Sequence, residues 1–341
     1  MLEFHKLQTL LDQFSKLRIG LIGDLFLDRY LDINPDVHEL SVETDLEAYQ
    51  VQEVRNAPGA LGTVMNNLAA IGIGQLVPVT VIGNDGHGFD LLKALSHLPV
   101  ETSHILERDD RLTPTYTKPM QRSLDGQWCE LNRLDVRHRE PLNPAATKAI
   151  QTHISEVFQS TDGMIVLDQI NEPNWGVVNS QVRTTLRELQ ASQPDKLIFI
   201  DSRTQIQEFD FGILKSNHHE LMRAVSMSET AEKNVAQAAC HFSQRTDQPV
   251  FCTLGEKGIV IGYKDQPAIH VPGFSVAGPI DIVGAGDSAT AGTVASLLAG
   301  ATDSEAATVG NLVASITIQQ LGTTGIATPA QILSRWRETR A

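Results

Sequence analysis

Toward the C-terminus the chain runs Gly284-Ala285-Gly286-Asp287 directly into Ser-Ala-Thr-Ala-Gly-Thr-Val-Ala-Ser-Leu-Leu, a turn of tiny residues opening an apolar helix with an acid at its mouth. Consecutive backbone N–H groups at a helix start have no intrahelical acceptor, and the dipole adds about half a positive charge, so such a turn suits an anion. Side chains this small let the backbone come close to a phosphate. An aspartate in the same turn can take the proton from an attacking hydroxyl while the amides hold charge on a transferring phosphoryl group. Taken alone, the stretch also reads as a helix N-cap and an ordinary tight turn.

Other chemistry-bearing residues lie far off in sequence. Asp24 and Asp28 stand four apart after an apolar run and can accept hydrogen bonds from vicinal hydroxyls; they also read as a turn acid and a surface acid. Lys118 and Arg133 are cations on β-patterned segments, open to a phosphate or simply solvated. His218 and His219 are adjacent on a turn and face different ways, so they are not expected to ligate a metal. No Gly-x-Gly-x-x-Gly follows the first apolar run, and no Walker A lysine loop exists.

Positioning these residues requires a sheet. Arg18–Gly23, Leu76–Gly83, Met164–Asp168, Lys196–Asp201 and Pro249–Leu254 read as buried strands, with a further strand from Gly258 to Gly262. Helices are expected near 62–72, 88–97, 145–159, 177–191 and 229–245. The alternation predicts a doubly wound α/β fold around a mostly parallel sheet, with ligands beyond the carboxyl ends of the strands. Asp24, Asp168 and Asp201 each close or follow such a strand. Segments at about 30–57 and 115–135 carry β-type alternation outside this pattern and read as a small separate sheet, so residues 1–341 are expected to form a single domain with an appended lid.

In chain order, Gly23-Asp24-Leu-Phe-Leu-Asp28, Asn217-His-His-Glu220, Thr253-Leu-Gly255-Glu-Lys-Gly258 and Asp281-Ile-Val-Gly284-Ala285-Gly286-Asp287 resemble the ribokinase-like (PfkB) carbohydrate kinases, from about Arg18 to about Thr328. The resemblance implies a ribokinase-like fold, ATP as donor, Asp287 as base and Gly284 to Gly286 as anion hole. It implies that Thr253, Gly255 and Gly258 lie along the nucleotide, although the loop by itself reads as a hairpin turn. It also places Asn311 on the adenine side. Asn217 and Glu220 would position magnesium largely through water, and the backbone from Asp281 to Val283 would form a monovalent-cation loop for potassium. The small sheet would be the lid over the sugar and a homodimer interface.

The string from Gly23 to Tyr30, Pro58 to Gly72 and Pro114-Thr-Tyr-Thr-Lys118 look most like the kinase half of the bifunctional ADP-heptose synthesis proteins, which phosphorylate a heptose 7-phosphate at its anomeric hydroxyl. The nucleotidyltransferase half that often follows is not expected here. The usual Gly-Gly-x-x-Asn sugar loop reads Gly59-Ala60-Leu61-Gly62-Thr63, so hydroxyl recognition at that wall is altered. Where those kinases have Asp-Tyr-x-Lys-Gly, this chain has Asp168-Gln169-Ile-Asn171-Glu172, and the basic residue is gone.

Composition narrows the classes. With 341 residues, 41% hydrophobic and a formal net charge of -14, the chain can bury a large core and lacks the basic footprint of a nucleic-acid binder. Cys129, Cys240 and Cys252 show no paired spacing, the first residues form no signal sequence, and no long uncharged apolar run occurs, so a cytoplasmic protein without membrane contact is expected. A sugar or sugar-phosphate kinase is the leading expectation. A non-catalytic sugar- or nucleotide-binding descendant of the fold is the alternative, and a dinucleotide oxidoreductase lacks its glycine fingerprint.

Overall fold

The computed structural model describes residues 2–339 apart from 124, 125, 127, 226–231 and 323. Residues 229–231 of the helix expected near 229–245 therefore lie outside the described residues, as do 124, 125 and 127 of the second lid segment.

In chain order the helices are α1 (Phe4–Phe14), α2 (Leu61–Ala70), α3 (Gly86–Leu95), α4 (Pro144–Ser160), α5 (Ser180–Ser192), α6 (His218–Val225), α7 (Glu232–Thr246), α8 (Ala285–Leu298), α9 (Asp303–Thr317) and α10 (Pro329–Glu338). The strands are β1 (Arg18–Gly23), β2 (Leu25–Ile33), β3 (Val51–Ala60), β4 (Gln75–Gly83), β5 (Ile105–Arg108), β6 (Thr115–Arg122) and β7 (Trp128–Glu130), followed by β8 (Leu134–Val136), β9 (Gly163–Asp168), β10 (Leu197–Ser202), β11 (Ile213–Asn217), β12 (Val250–Thr253), β13 (Ile259–Gly262) and β14 (Ile269–Val271).

Nine strands form the main sheet in the order β14-β13-β12-β11-β10-β9-β1-β4-β5. It is parallel except where β13 joins β12 and β14. From β1 the winding goes one way through β4 and the other way through β9 to β12. The switch point between β1 and β9 opens a crevice at the carboxyl ends of these strands. The central strands are apolar almost throughout because helices cover both faces: Ile19 and Leu21 of β1 enter the core beneath α1, α2, α8, α9 and α10, and Ile22 enters the core beneath α4 to α7. A Cβ on Gly20 would lie 2.8 Å from Val157 Cγ1, which is how closely α4 sits on β1.

Helix starts carry their own signals. Asn143 caps α4 with Pro144 at its first position, Asn179 caps α5, and Thr302/Glu305 and Thr328/Gln331 form capping boxes at α9 and α10. Helix α8 is buried on every side from Ser288 to Ser296. Such a helix has no polar face to keep, and its small residues let α9 approach until a Cβ on Gly292 would lie 3.1 Å from the Gly310 Cα.

The second sheet, in the order β3-β2-β6-β7 with β8 also on β6, is the expected lid, but it begins at Leu25 rather than near residue 30 and ends at Val136. The chain leaves β1 at Gly23, bends at Asp24 and enters β2 at once, so the acid sits where the two sheets meet. Helices α1, α6 and α10, the central strand β11 and the edge strands β5 and β14 are additions to the expected elements. The two edge strands are short and incompletely buried, and β11 carries Lys215 and Ser216 in its middle, so none of the three has the continuous apolar run that marked the other strands.

Ala60, which stands where the resemblance leads one to expect a glycine, has φ 52° and ψ -113°. That region is natural only to glycine, and a residue held there stores about 1–3 kcal/mol of strain. Ala60→Gly should therefore stabilise the protein by about 1 kcal/mol once the entropy cost of glycine is set against the relief. Urea unfolding of both proteins measures this, and a lower midpoint for the variant would contradict it.

Candidate active site

Acids collect where the parallel strands end. Asp24 follows β1, Asp168 closes β9, and Asp201 lies near the end of β10; all three are buried. Asp24 accepts hydrogen bonds from the Val177 amide at 2.8 Å and the Gln169 amide at 3.4 Å. Burial still pushes its carboxyl up to about 6. Asp168 accepts from the Ser202 hydroxyl at 2.8 Å and is pushed up to about 7 by burial and by the charge of Asp24. Asp201 is held differently, by a buried ion pair with Lys215 Nζ at 2.6 Å and by the Thr290 hydroxyl of α8 at 3.3 Å.

Lys215 was passed over in the sequence, yet it is the cation around which this end of the site is arranged. A lysine inside an apolar strand is rarely buried unless paired, and that pattern in Ile213-Leu-Lys-Ser-Asn217 was the available signal. Burial works against its charge, but Asp201 and then Asp287 more than compensate and hold its pKa above the ordinary value.

Asp287 occupies the first turn of α8. Its surroundings are dense enough that desolvation, followed by the charge of Asp201, lifts it to about 7 against the pull of Lys215 and Arg203. Among the described residues nothing donates a hydrogen bond to its carboxyl. Gly284, the N-cap, adopts φ 78°, a left-handed conformation that favours glycine, and a Cβ on Gly286 would lie 3.2 Å from Lys215 Nζ. The turn is narrower than its sequence suggests: the Ala285 amide donates to the Ile282 carbonyl at 3.1 Å, which leaves the amides of Gly286 and Asp287 for an anion, with the Lys215 ammonium beside them. Upstream, the Asp281 amide donates to Ile318 and its carboxyl accepts from the Val283 amide at 3.0 Å.

On the lid side, Asp28 pairs with Lys118 Nζ at 3.2 Å, and Lys118 also donates to the Tyr30 hydroxyl and lies over its ring. A Cβ on Gly59 would lie 2.8 Å from Asp28 Oδ2, so that glycine makes room for the acid. Thr63 is buried in α2, close to Gly284. Arg133 is held by Asp135 through two hydrogen bonds, at 2.6 and 2.9 Å, and stacks on Tyr116. Lys118 and Arg133, the two cations open to a sugar phosphate in the sequence, each have a carboxylate partner here.

On the nucleotide side, Thr253 ends β12 and Gly255 and Gly258 shape the turn into β13, a hairpin as the local sequence implied, with open space beyond Gly255. Asn217 and Glu220 cap α6 reciprocally, the Asn217 amide donating to Glu220 at 2.8 Å and the Glu220 amide to Asn217 at 2.9 Å. Burial, with Asp201 next, raises the Glu220 pKa. No group of three or more His, Cys, Asp or Glu side chains is placed to hold a metal among the described residues. Asn311 donates its amide to the carbonyls of Val271 and Pro272 and so braces α9 against the end of β14.

A base candidate in the first turn of a buried helix, at the carboxyl edge of a parallel sheet under a β lid, matches a known arrangement. Residues 25–331 match the description "pfkB family carbohydrate kinase". The chain belongs to this family. It is 27% identical over 331 residues, 96% of its length, to the bifunctional protein HldE of Trichlorobacter lovleyi, and 27% identical over 311 residues to that of Helicobacter acinonychis. The chain spans 64% of the length of each of these relatives. Among solved structures, phosphofructokinase-2 of Escherichia coli in complex with potassium superposes with a TM-score of 0.71 at 17% identity, covering 95% of this chain and all of that one. Ribokinase of Arabidopsis thaliana complexed with ribose and ATP gives 0.68 at 18%, covering 94% and 98%. The fold is thus ribokinase-like, and membership makes the protein a sugar kinase. No helix among the described residues is long and apolar enough to cross a membrane.

For this PfkB member the acid row has a thermodynamic signature. Asp24, Asp168 and Asp287 have folded pKa values raised from 3.8 to about 6, 7 and 7. Folding therefore favours their protonated forms, and their stabilising contribution is lost as pH rises through about 6 to 7. The melting temperature of the ligand-free protein should rise between about pH 8 and about pH 5.5, and Asp168→Asn should flatten that slope. A wild-type profile that is flat or inverted would show that the carboxyls ionise in the fold without cost.

Proposed function

We propose that the protein transfers the terminal phosphoryl group of ATP to a hydroxyl of a sugar or sugar phosphate resembling heptose 7-phosphate. The observation that carries this reading is Asp287, without a hydrogen-bond donor, lifted to about 7 and set beside Lys215 and the open amides of Gly286 and Asp287. A carboxylate with a pKa near neutrality can accept a hydroxyl proton and is still ionised in a large fraction of molecules. As that proton leaves, the two amides and the Lys215 ammonium face the charge on the transferring group. Asp24, Asp28 and Thr63 are positioned to hold sugar hydroxyls, with Gly59 beneath Asp28, and Thr253, Gly255, Gly258 and the wall braced by Asn311 form the nucleotide side.

Magnesium would neutralise the phosphates of the bound nucleotide. Asn217 and Glu220 spend one oxygen each on capping, which suits help given through water rather than direct ligation, and magnesium gives up its waters reluctantly. The carbonyls of Asp281 and Val283 accept no backbone hydrogen bond among the described residues, whereas that of Ile282 does, and this fits the two as potassium ligands. The altered loop at Ala60 and Thr63 favours a second reading, a non-catalytic sugar- or nucleotide-binding descendant of the fold.

The two readings part at the base. Asp287→Asn should lower kcat by about two to four orders of magnitude with little change in nucleotide affinity. ADP release with magnesium and potassium present measures the first, and calorimetric titration with ATP the second. Activity within a few-fold of wild type would remove Asp287 as the base.

The lid also supports an assembly. Leu40, Val42 and Leu46 are 63%, 98% and 70% exposed on the segment between β2 and β3, and Val51 and Val54 continue this apolar surface along β3. Covering it with a second copy is the economical remedy in a cytoplasmic protein. Light scattering at micromolar concentration should give twice the mass of the chain, and Val42→Asp should shift the protein to monomer.

A further inference from the structure

Between the two sheets lies a cavity that the reading of the sequence did not anticipate. Asp24 forms its floor, Phe26 and Trp175 supply apolar walls, and four basic side chains, Arg111, Arg137, His138 and Arg139, converge on it. These cations come from the connection between β5 and β6 and from the three residues after β8, none of which belongs to a motif singled out above.

Their state is unusual for a protein with a net charge of -14. Arg111 is half-buried and makes no hydrogen bond or salt bridge among the described residues. The neighbouring Asp110 is engaged by Arg108 and Asn143 instead. Burial, the largest influence, holds the Arg111 guanidinium below its ordinary pKa despite the nearby charge of Asp24. Arg137 donates to the Tyr116 hydroxyl at 2.8 Å and lies 3.9 Å from a carboxylate oxygen of Asp135, but its buried Nε has no hydrogen-bond partner among the described residues. Arg139 is exposed and unpaired among the described residues, and His138 is held below its usual pKa by burial and by Arg111. The carboxylates on the lining are Asp24, itself lifted to about 6, and Glu172. A guanidinium removed from water without a partner is costly, and the group that best relieves it is an anion with paired oxygens.

The position of the cavity sets the size of its occupant. Asp24 follows β1, while Asp287 interacts with Asp201 of β10 and Lys215 of β11, two to three strands away. At the usual interstrand spacing that is about 10–14 Å, the reach of an extended sugar with a terminal substituent rather than of a bare ring.

We infer that the acceptor carries an anionic group, a phosphate or a carboxylate, at the end remote from the reacting hydroxyl, and that Arg111, Arg137 and Arg139, with His138, bind it. This rests on the kinase reading for its geometry and names the acceptor class. It rests the anion chiefly on Arg111 and Arg139, which have no hydrogen-bond or carboxylate partner among the described residues, in place of Lys118 and Arg133, which do.

The test compares wild type, Arg111→Ala, Arg111→Lys and Arg139→Gln. Because Arg111 makes no bond, its removal should leave the melting temperature unchanged or higher. ADP release is read on hexose and heptose phosphates, on aldonic acids and on the corresponding neutral sugars. Phosphorylated or carboxylated acceptors should be preferred, and which of the two is turned over identifies the anionic group. Arg111→Ala should raise their KM about tenfold to a hundredfold with kcat kept within a few-fold, and Arg111→Lys should recover part of the loss, as expected when a charged hydrogen bond is removed. An unchanged KM in both Arg111→Ala and Arg139→Gln, or preference for a neutral sugar, would overturn the subsite while leaving the kinase standing. If no acceptor is turned over, the kinase reading fails by itself. Calorimetric titration with inorganic phosphate then decides: weaker binding to Arg111→Ala than to wild type supports the anion site, and equal binding overturns it.

Discussion

One buried ammonium makes this carboxyl-lined crevice possible. Asp24, Asp168, Asp201 and Asp287 gather at the ends of adjacent parallel strands and the mouth of α8, and the Lys215 charge is set into that row from β11 at 2.6 Å from Asp201. Without a counter-charge, the acids nearest α8 would have to be protonated or moved apart, because like charges in a poorly hydrated crevice repel strongly. With it, Asp201 has a buried partner in Lys215, and Asp287, which has no hydrogen bond to hold its charge among the described residues, is lifted by burial first and by the charge of Asp201 next. A pair that is costly to bury thus tunes its neighbour, and the same ammonium lies beside the open amides of the Gly284 to Asp287 turn.

The scaffold follows from what these groups need. Strands that end together must be parallel, parallel strands need helical crossovers, and helices on both faces demand apolar strands, which is why the acids occur only at the strand ends. Helix α8 must bring its amides and Asp287 over that edge while buried along its length, and only small side chains allow this against α9. The lid begins one residue after Asp24, so a floor residue of the crevice is also the hinge between the sheets.

The lid carries most of the basic side chains near the crevice, and their pairing divides them. Arg55 is spent on Asp32, Lys118 on Asp28 and Arg133 on Asp135, each in contact with an aromatic ring as well. These pairs order the lid surface. Arg137 shares Asp135 and the Tyr116 ring with Arg133 and keeps only an orphaned Nε, whereas Arg111 and Arg139 have no such partners among the described residues, which separates cations that build the lid from cations free to meet a ligand.

Much of this was legible in the amino-acid order, because it depends on local patterns. Apolar runs ending in Asp168 and Asp201 marked two central strands, and the Gly284-Ala285-Gly286-Asp287 turn of small residues marked the start of α8, since the constraint there is the size of adjacent side chains. The membership in the PfkB family rests on the same strings. Pairing was not legible. Whether Lys118 is free or bound to Asp28, ninety residues away in sequence, and whether Arg111 has a partner, depend on which segments the sheets bring together. The Ala285 amide was likewise lost to Ile282 through a turn whose φ and ψ no residue type dictates. The sequence by itself determined most strands of the sheet, the acids at its edge and the tight turn that opens α8, because each is set by neighbours along the chain. Only the tertiary structure decided which charges are spent and which remain, because electrostatic partners are chosen by distance in space.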